Sequence, residues 1–113
     1  MVKKGVTKKA VLICFNVKSG KFESNYERNK FFRALYGWKQ IIPKKKKTYV
    51  YKRDGLLDEI RHVKVDQSSF FVEEDDFDRI MRFFKEWGDK VICKTFKVLL
   101  ENDLEEFFEK EEF

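Results

Sequence analysis

The sequence predicts an α+β fold, a ferredoxin-like βαββαβ two-layer sandwich followed by a short C-terminal helical tail. Strand-like apolar segments open and close the predicted domain. Two segments with helical spacing lie between them, and each is preceded by a helix-start signal. Because a strand pair separates the helices, the order is the split βαβ arrangement of ferredoxin-like domains. In chain order, the predicted segments are strand 10–17, helix 25–36, strand 48–53, strand 68–73, helix 75–87 and strand 91–100.

The first strand is apolar on both of its alternating faces. Val11, Ile13 and Phe15 share one face, whereas Leu12 and Cys14 share the other. The two helices can cover only one face of a two-layer domain. We therefore expect the second face to be covered by another copy of the chain, which makes a homodimer, or by the C-terminal tail.

The first helix has clear boundaries. Ser24 and Glu27 have the spacing of a capping box, in which both side chains satisfy free backbone amides at a helix start. Gly37 is suited to the left-handed position just past the helix end. These signals predict a helix over residues 25–36.

The middle of the chain is only partly assigned by its pattern. After Pro43 and four lysines, residues 48–53 are β-branched and aromatic, which favours a strand. The pair Asp54 and Gly55 predicts a turn after it. Residues 56–66 show no clear period, and we treat them as an irregular insertion.

The second half follows the same order as the first. Residues 68–73 predict a strand, and the acids at 74–76 favour a helix start because the N-terminus of a helix carries partial positive charge. Helix 75–87 precedes Gly88, and residues 91–100 form the last strand. We therefore expect a single domain over residues 1–100 and an acidic, aromatic tail over residues 101–113.

Charge is distributed unevenly along the chain. Residues 1–47 carry 14 Lys or Arg against two acids, whereas residues 101–113 carry seven acids against Lys110 alone. Outside the tail the net charge is +11, from 24 basic and 13 acidic residues. Such a surface can neutralise phosphates with release of counterions. We expect a small, non-catalytic module that binds the DNA or RNA backbone, with an acidic tail that mimics nucleic acid and lowers non-specific binding.

Basic clusters before two strands are the candidate phosphate contacts. Trp38, Tyr49 and Tyr51 would add base stacking if their rings are exposed. The candidate nucleic-acid-binding residues are Lys44, Lys45, Lys46, Lys47 and Arg53, followed by Lys8, Lys9 and Arg33.

The tail supports an alternative function, that of a protein interaction adaptor. Leu104, Phe107 and Phe108 have the spacing that one helical turn brings together. They would dock on the chain's own domain, on a twin subunit or on a protein partner. Their spacing also matches a sliding-clamp docking peptide, although Glu101 stands where such peptides have Gln.

No cofactor, metal site or catalytic residue is predicted. His62 has no ligand at zinc spacing around it, and Cys14 and Cys93 lie in separate apolar segments. The stacking motif of RNA-recognition domains would need an aromatic ring where Ile13 stands. No segment has the character of a signal peptide or a membrane span, so we expect a cytoplasmic protein without membrane contact.

The order of elements resembles a known family. The strand at residues 12–17 and the strand, helix and strand over residues 71–100 are similar to the small ferredoxin-fold CRISPR-associated nucleases that form the structural dimer of the spacer integrase, and to their toxin-like relatives. The resemblance covers roughly residues 10–100 and implies a dimer with basic grooves for nucleic acid. In some members an acid that ends the first strand supports metal-dependent cleavage. Here that position is Asn16, whose amide lacks the negative charge that draws a divalent cation. A divalent-metal nuclease is therefore only the third alternative.

Overall fold

The computed structural model describes residues 9–100 and 104–109 of the chain, which form a mixed α+β fold. In chain order the elements are β1 (Lys9–Val17), α1 (Asn25–Tyr36), β2 (Trp38–Lys44), β3 (Lys47–Arg53), β4 (His62–Asp66), β5 (Ser69–Glu73), α2 (Phe77–Glu86), β6 (Val91–Leu99) and α3 (Leu104–Glu109).

Four strands form one antiparallel sheet in the order β4-β5-β1-β6, and β2 pairs with β3 in a separate two-stranded sheet. The four-stranded order is that of a split βαβ fold, so the predicted α+β class is confirmed. The identity of one strand is corrected. The second strand of the fold is β4, and not residues 48–53, which belong to the separate hairpin.

The reason for this correction lies in burial. Every residue of β3 is exposed, so its β-branched and aromatic residues contribute no buried side chain to a core. In β4 only Val63 is buried, and an edge strand with one buried residue shows little alternation in the sequence.

The described residues divide into two compact units. We call residues Phe22–Ile60, with α1, β2 and β3, the hairpin unit. The remaining elements form the sheet unit.

One face of the sheet unit forms an apolar core with α2. Val11 and Ile13 of β1 stand opposite Val72 and Phe70 of β5, and all four are buried. A tilted ring contact extends this core to α2, since the centroids of Phe15 and Phe84 lie 5.5 Å apart. The helical spacing predicted for this segment therefore places its apolar side chains against the sheet.

The second face of the sheet is covered at one end by α3. Ala10, Val63 and Phe108 form a buried cluster, with Phe71 and Phe107 packed against it. On the edge strand β6, Phe96 stands opposite Leu12 and remains 50% exposed. The tail thus covers part of the second apolar face of β1. The homodimer, which would cover the rest, stays a prediction.

The hairpin unit is built around a capped helix. The Ser24 hydroxyl accepts a hydrogen bond from the Glu27 backbone N–H at 3.2 Å, while the Glu27 carboxylate accepts one from the N–H of Glu23 at 2.8 Å. The predicted bounds of α1 are therefore confirmed, with Phe31 and Leu35 as its buried residues.

Two glycines hold the end of α1 close to the end of β3. Gly37 has φ +81°, and a Cβ atom there would lie 2.6 Å from the carbonyl oxygen of Arg53. A Cβ at Gly55 would lie 2.2 Å from the backbone nitrogen of Gly37. Because no larger residue fits this contact, the two glycines fix where the hairpin leaves the helix.

Candidate nucleic-acid interface

The β2–β3 hairpin presents two different faces. Its strands pair in register from Trp38 opposite Arg53 to Lys44 opposite Lys47. Because directly opposed residues share a face and successive residues alternate, every second pair lies on the same side. One side, which we call the basic-aromatic face, carries the pairs Trp38–Arg53, Gln40–Tyr51, Ile42–Tyr49 and Lys44–Lys47. The opposite face carries Lys39–Lys52, Ile41–Val50 and Pro43–Thr48.

Aromatic rings occupy the centre of the basic-aromatic face. Tyr49 is 41% exposed and Tyr51 is 45% exposed, so both rings are accessible. Trp38, at the base of the hairpin, is half-buried. The condition under which these tyrosines could add base stacking is therefore met.

Arginines lie at the base of the same face. The Arg33 guanidinium stands 4.2 Å from the centroid of the Trp38 ring, and that of Arg53 stands 5.4 Å from the centroid of Tyr51. The Nε of Arg53 also donates a hydrogen bond of 2.8 Å to Oε1 of Gln40. That bond uses one of the five N–H donors of the guanidinium, and it orients the group for a further anion.

Lysines occupy the other end of the hairpin. Lys44 and Lys47 form the last strand pair, and the turn between them is made of Lys45 and Lys46. Within residues 9–100 and 104–109, no carboxylate forms an ion pair with any of these four ammonium groups. A cavity of about 560 Å³ lies against the four lysines and Tyr49.

The lysine turn is unfavourable for folding. Lys45 has φ +50°, in the left-handed region where a residue with a Cβ is strained by about 1 to 2 kcal/mol. Lys44 and Lys47 place like charges directly opposite each other, which also destabilises a strand pair. Asn or Gly would suit such a turn better.

On the opposite face of the hairpin, Lys52 is ion-paired. The ammonium group of Lys52 forms ion pairs with Asp58 at 3.1 Å and with Asp54 at 3.2 Å. Hydrogen bonds from Lys52 to Asp58 and then to Asp54 raise the pKa of the lysine. Lys52 is thus already neutralised, in contrast to the lysines of the turn.

The hairpin unit brings together six of the eight residues predicted to bind nucleic acid. They are Arg33, Lys44, Lys45, Lys46, Lys47 and Arg53. Lys9 is exposed at the start of β1 in the sheet unit, and Lys8 lies outside the described residues. The pairing of β2 with β3 was missed because polar and apolar residues do not alternate in residues 38–44. The alternating half-burial of Trp38, Gln40 and Ile42 is visible only in the structure.

The aromatic residues of the tail contact the chain's own sheet. Phe108 is 5% exposed and lies under the Arg61 guanidinium, 5.5 Å from its ring centroid. Phe107 packs edge-on against Phe71, with ring centroids 5.2 Å apart. Leu104 begins α3, and its side chain lies outside the described residues. A protein partner that docks on Phe107 and Phe108 would first have to displace them from the sheet.

Other candidate chemistry is sparse in the described part of the chain. No group of three or more His, Cys, Asp or Glu there could hold a metal ion. Cys14 and Cys93 are both free thiols, and partial burial raises the pKa of Cys93 to about 11. A thiol that stays protonated is a poor nucleophile. Phe70 is fully buried, so it offers no ring for base stacking on the sheet.

Comparison with known protein-family models, curated proteins and solved structures finds no match for this chain. None of the helices among the described residues has the length and apolar character needed to cross a membrane.

Proposed function

We propose that this protein is a small nucleic-acid-binding module that contacts DNA or RNA through the basic-aromatic face of its β2–β3 hairpin. The observation that carries the proposal is the shared face itself. Lys44 and Lys47 beside the turn, Tyr49 and Tyr51 in the middle and Arg53 at the base share one side of the hairpin. The Arg33 guanidinium of α1 lies over the Trp38 ring of the same side, and the turn lysines form no ion pair with a carboxylate of the described residues. Cations bind phosphates and exposed rings stack on bases, which is the combination that nucleic-acid-binding surfaces use.

The strain in the turn supports the same proposal. A lysine at positive φ and a like-charge pair both lower the stability of the hairpin. An anionic partner would relieve the repulsion between these lysines when it binds. The turn is thus better suited to binding a polyanion than to folding in its absence.

The acidic tail is the second part of the proposal. Seven acids lie in residues 101–113, and a tail of this charge attracts the same cations as a phosphate backbone does. We propose that the tail lowers the affinity of the basic surface for weak, non-specific nucleic acid. This effect is electrostatic, so added salt weakens it.

Ultraviolet cross-linking with peptide mapping tests the location of the site. Purified full-length protein is irradiated with single- and double-stranded DNA and RNA at low salt, and cross-linked peptides are identified by mass spectrometry. We expect cross-links in the peptides that contain Trp38, Tyr49 or Tyr51. Cross-links confined to the sheet unit would show that another surface binds, and no binding to any of the four nucleic acids would refute the proposal.

A further inference from the structure

The two exposed tyrosines have a geometry suited to separated bases. Tyr49 and Tyr51 are two residues apart on one strand, so they share a face at a separation of about 7 Å along the strand. Bases in a duplex are stacked about 3.4 Å apart, and their faces are covered by their neighbours. A protein ring can therefore stack only on a base that has left such a stack. Exposed rings in the middle of a cationic face favour an unpaired strand.

The cations lie at the two ends of the tyrosine row. From Trp38 to Lys44 the strand has seven residues, a length of about 20 Å. A single strand that lies along this face would meet Arg33 and Arg53 at one end and the lysines of the turn at the other. Its phosphates would be held at both ends while its bases face the rings.

A cavity at the base of the hairpin extends this surface. It has a volume of about 300 Å³ and is lined by Tyr26, Lys30, Arg33, Ala34, Trp38 and Asp54. This volume is at the lower end of the range for small-molecule sites. Lys30 and Arg33 supply positive charge for a phosphate, whereas the Asp54 carboxylate repels one. Asp54 can instead accept a hydrogen bond from a base N–H or a sugar hydroxyl.

We infer that the basic-aromatic face binds single-stranded nucleic acid, with unpaired bases on Tyr49 and Tyr51 and one further nucleotide in the cavity beside Trp38. This inference rests on the proposed function and names its substrate class. The competing geometry is a duplex, because a two-stranded β-ribbon can also enter a major groove. In that geometry the tyrosine rings would have no base faces to contact.

The test compares single-stranded and duplex oligonucleotides of the same sequence, as DNA and as RNA, with the full chain at one salt concentration. The variants are Tyr49→Ala and Tyr51→Ala, with Tyr49→Phe and Tyr51→Phe as controls that keep the ring. Val50→Ala is the control on the opposite face. Thermal unfolding of each variant reports whether its fold is retained.

We expect the single strand to bind more tightly than the duplex. Each Tyr→Ala change should weaken single-strand binding by about 5-fold to 150-fold, which is the range for loss of one stacked base. The Tyr→Phe variants and Val50→Ala should bind like the original chain. Quenching of protein fluorescence by the single strand, reduced in each Tyr→Ala variant, would report the stacking itself.

Two outcomes would overturn the inference, and they differ in what they say about the proposed function. If duplex binds as well as single strand and the Tyr→Ala variants bind normally, the face is a phosphate-binding surface and only the inference fails. If neither form binds, the proposed function fails with it.

Discussion

Asp66 shows how a single side chain sets a local structure. It lies at the β4–β5 turn, where its Oδ1 accepts hydrogen bonds from the Ser68 backbone N–H at 2.8 Å and from the Ser69 hydroxyl at 2.7 Å. The bond from the Ser68 N–H is that of an Asx turn, so the Asp66 side chain shapes this turn. The hydrogen bond from Ser69, and then that from Ser68, lower the pKa of the Asp66 carboxyl below its ordinary 3.8.

The variant Asp66→Ala should therefore be less stable than the original chain near neutral pH. A carboxyl with a lowered pKa in the folded state stabilises the fold above its unfolded pKa, and this contribution is lost as the pH falls through the lower, folded value. The difference in the free energy of unfolding between the original chain and Asp66→Ala should therefore become smaller in that acidic range. Urea unfolding at a series of pH values measures it, and a gap that stays constant throughout would contradict the assigned role.

Lys45 is a residue whose proposed role in binding opposes its effect on folding. Replacement by Gly removes the strain at φ +50° and should raise the free energy of unfolding by about 1 kcal/mol. Under the proposed function, the same change removes one phosphate contact and should weaken nucleic-acid binding.

Lys46→Gly is the matched control for Lys45→Gly. It removes the same charge from the same turn, but Lys45 is the one non-glycine residue with positive φ in the described part of the chain. Both variants should bind more weakly, while only Lys45→Gly gains stability in urea unfolding. Equal stabilities of the two variants would mean that the turn is not strained.

Among the elements, the short helix α3 depends most on tertiary contacts. A helix of six residues is too short to be stable by itself in water. Burial of Phe108 against Ala10 and Val63 holds it on the sheet. Phe108→Ala should therefore reduce the free energy of unfolding by about 3 kcal/mol.

Phe96→Ala provides the control for Phe108→Ala. Both phenylalanines belong to the same unit, but Phe96 is 50% exposed and Phe108 is 5% exposed. The Phe96 variant should lose less than about 1 kcal/mol, since an exposed ring gains little from burial. Hydrogen exchange should also show faster opening of α3 in the Phe108 variant alone. Similar losses for both variants would contradict the docking of α3.

The elements that could be predicted from the sequence are those with strong local signals. Ser24, Glu27 and Gly37 fix the ends of α1 through short-range hydrogen bonds and a positive φ, so the predicted and observed bounds agree. The helix α2 was also predicted, although its first residues form a 3-10 turn instead. Such signals act within a few residues and are readable without tertiary contacts.

The elements that were missed depend on long-range pairing. The segment 48–53 has high strand propensity, but which strand it pairs with is decided by the two-residue turn at Lys45 and Lys46 and by exposure on both faces. The strand β4 acquires its place in the sheet from its pairing with β5. As a result the cationic residues of the candidate site could be named from the sequence, whereas the placement of Lys44, Lys47 and Arg53 on one hairpin face with the tyrosines could not.

The molecule as a whole combines a basic body with an acidic tail. The double variant Glu111→Gln with Glu112→Gln removes two negative charges from the tail and so raises the net charge of the protein by two. The control is the double variant Asp75→Asn with Glu86→Gln, which raises the net charge by the same amount at exposed positions of the sheet unit. If the tail competes for the basic surface, the first pair should strengthen nucleic-acid binding more than the second, by about 2-fold to 5-fold.

Binding constants of both pairs are best measured at low and at moderate salt. If the tail competes for the basic surface, the difference in affinity between the two double variants should shrink at moderate salt, because screening weakens such an electrostatic interaction. Equal gains from the two pairs would mean that only net charge matters and that the tail has no specific effect.

The most direct measurement is the salt dependence of binding to a labelled single-stranded oligonucleotide. The proposed site in the hairpin unit contains six cations, so the logarithm of the binding constant should fall linearly with the logarithm of salt concentration, with a slope of up to about −4. Lys44→Gln with Lys47→Gln should make that slope shallower by about 1.4, whereas Lys39→Gln with Lys94→Gln, which removes equal charge outside the basic-aromatic face, should leave it nearly unchanged. A slope near zero, or equal changes from the two pairs, would contradict nucleic-acid binding through this face.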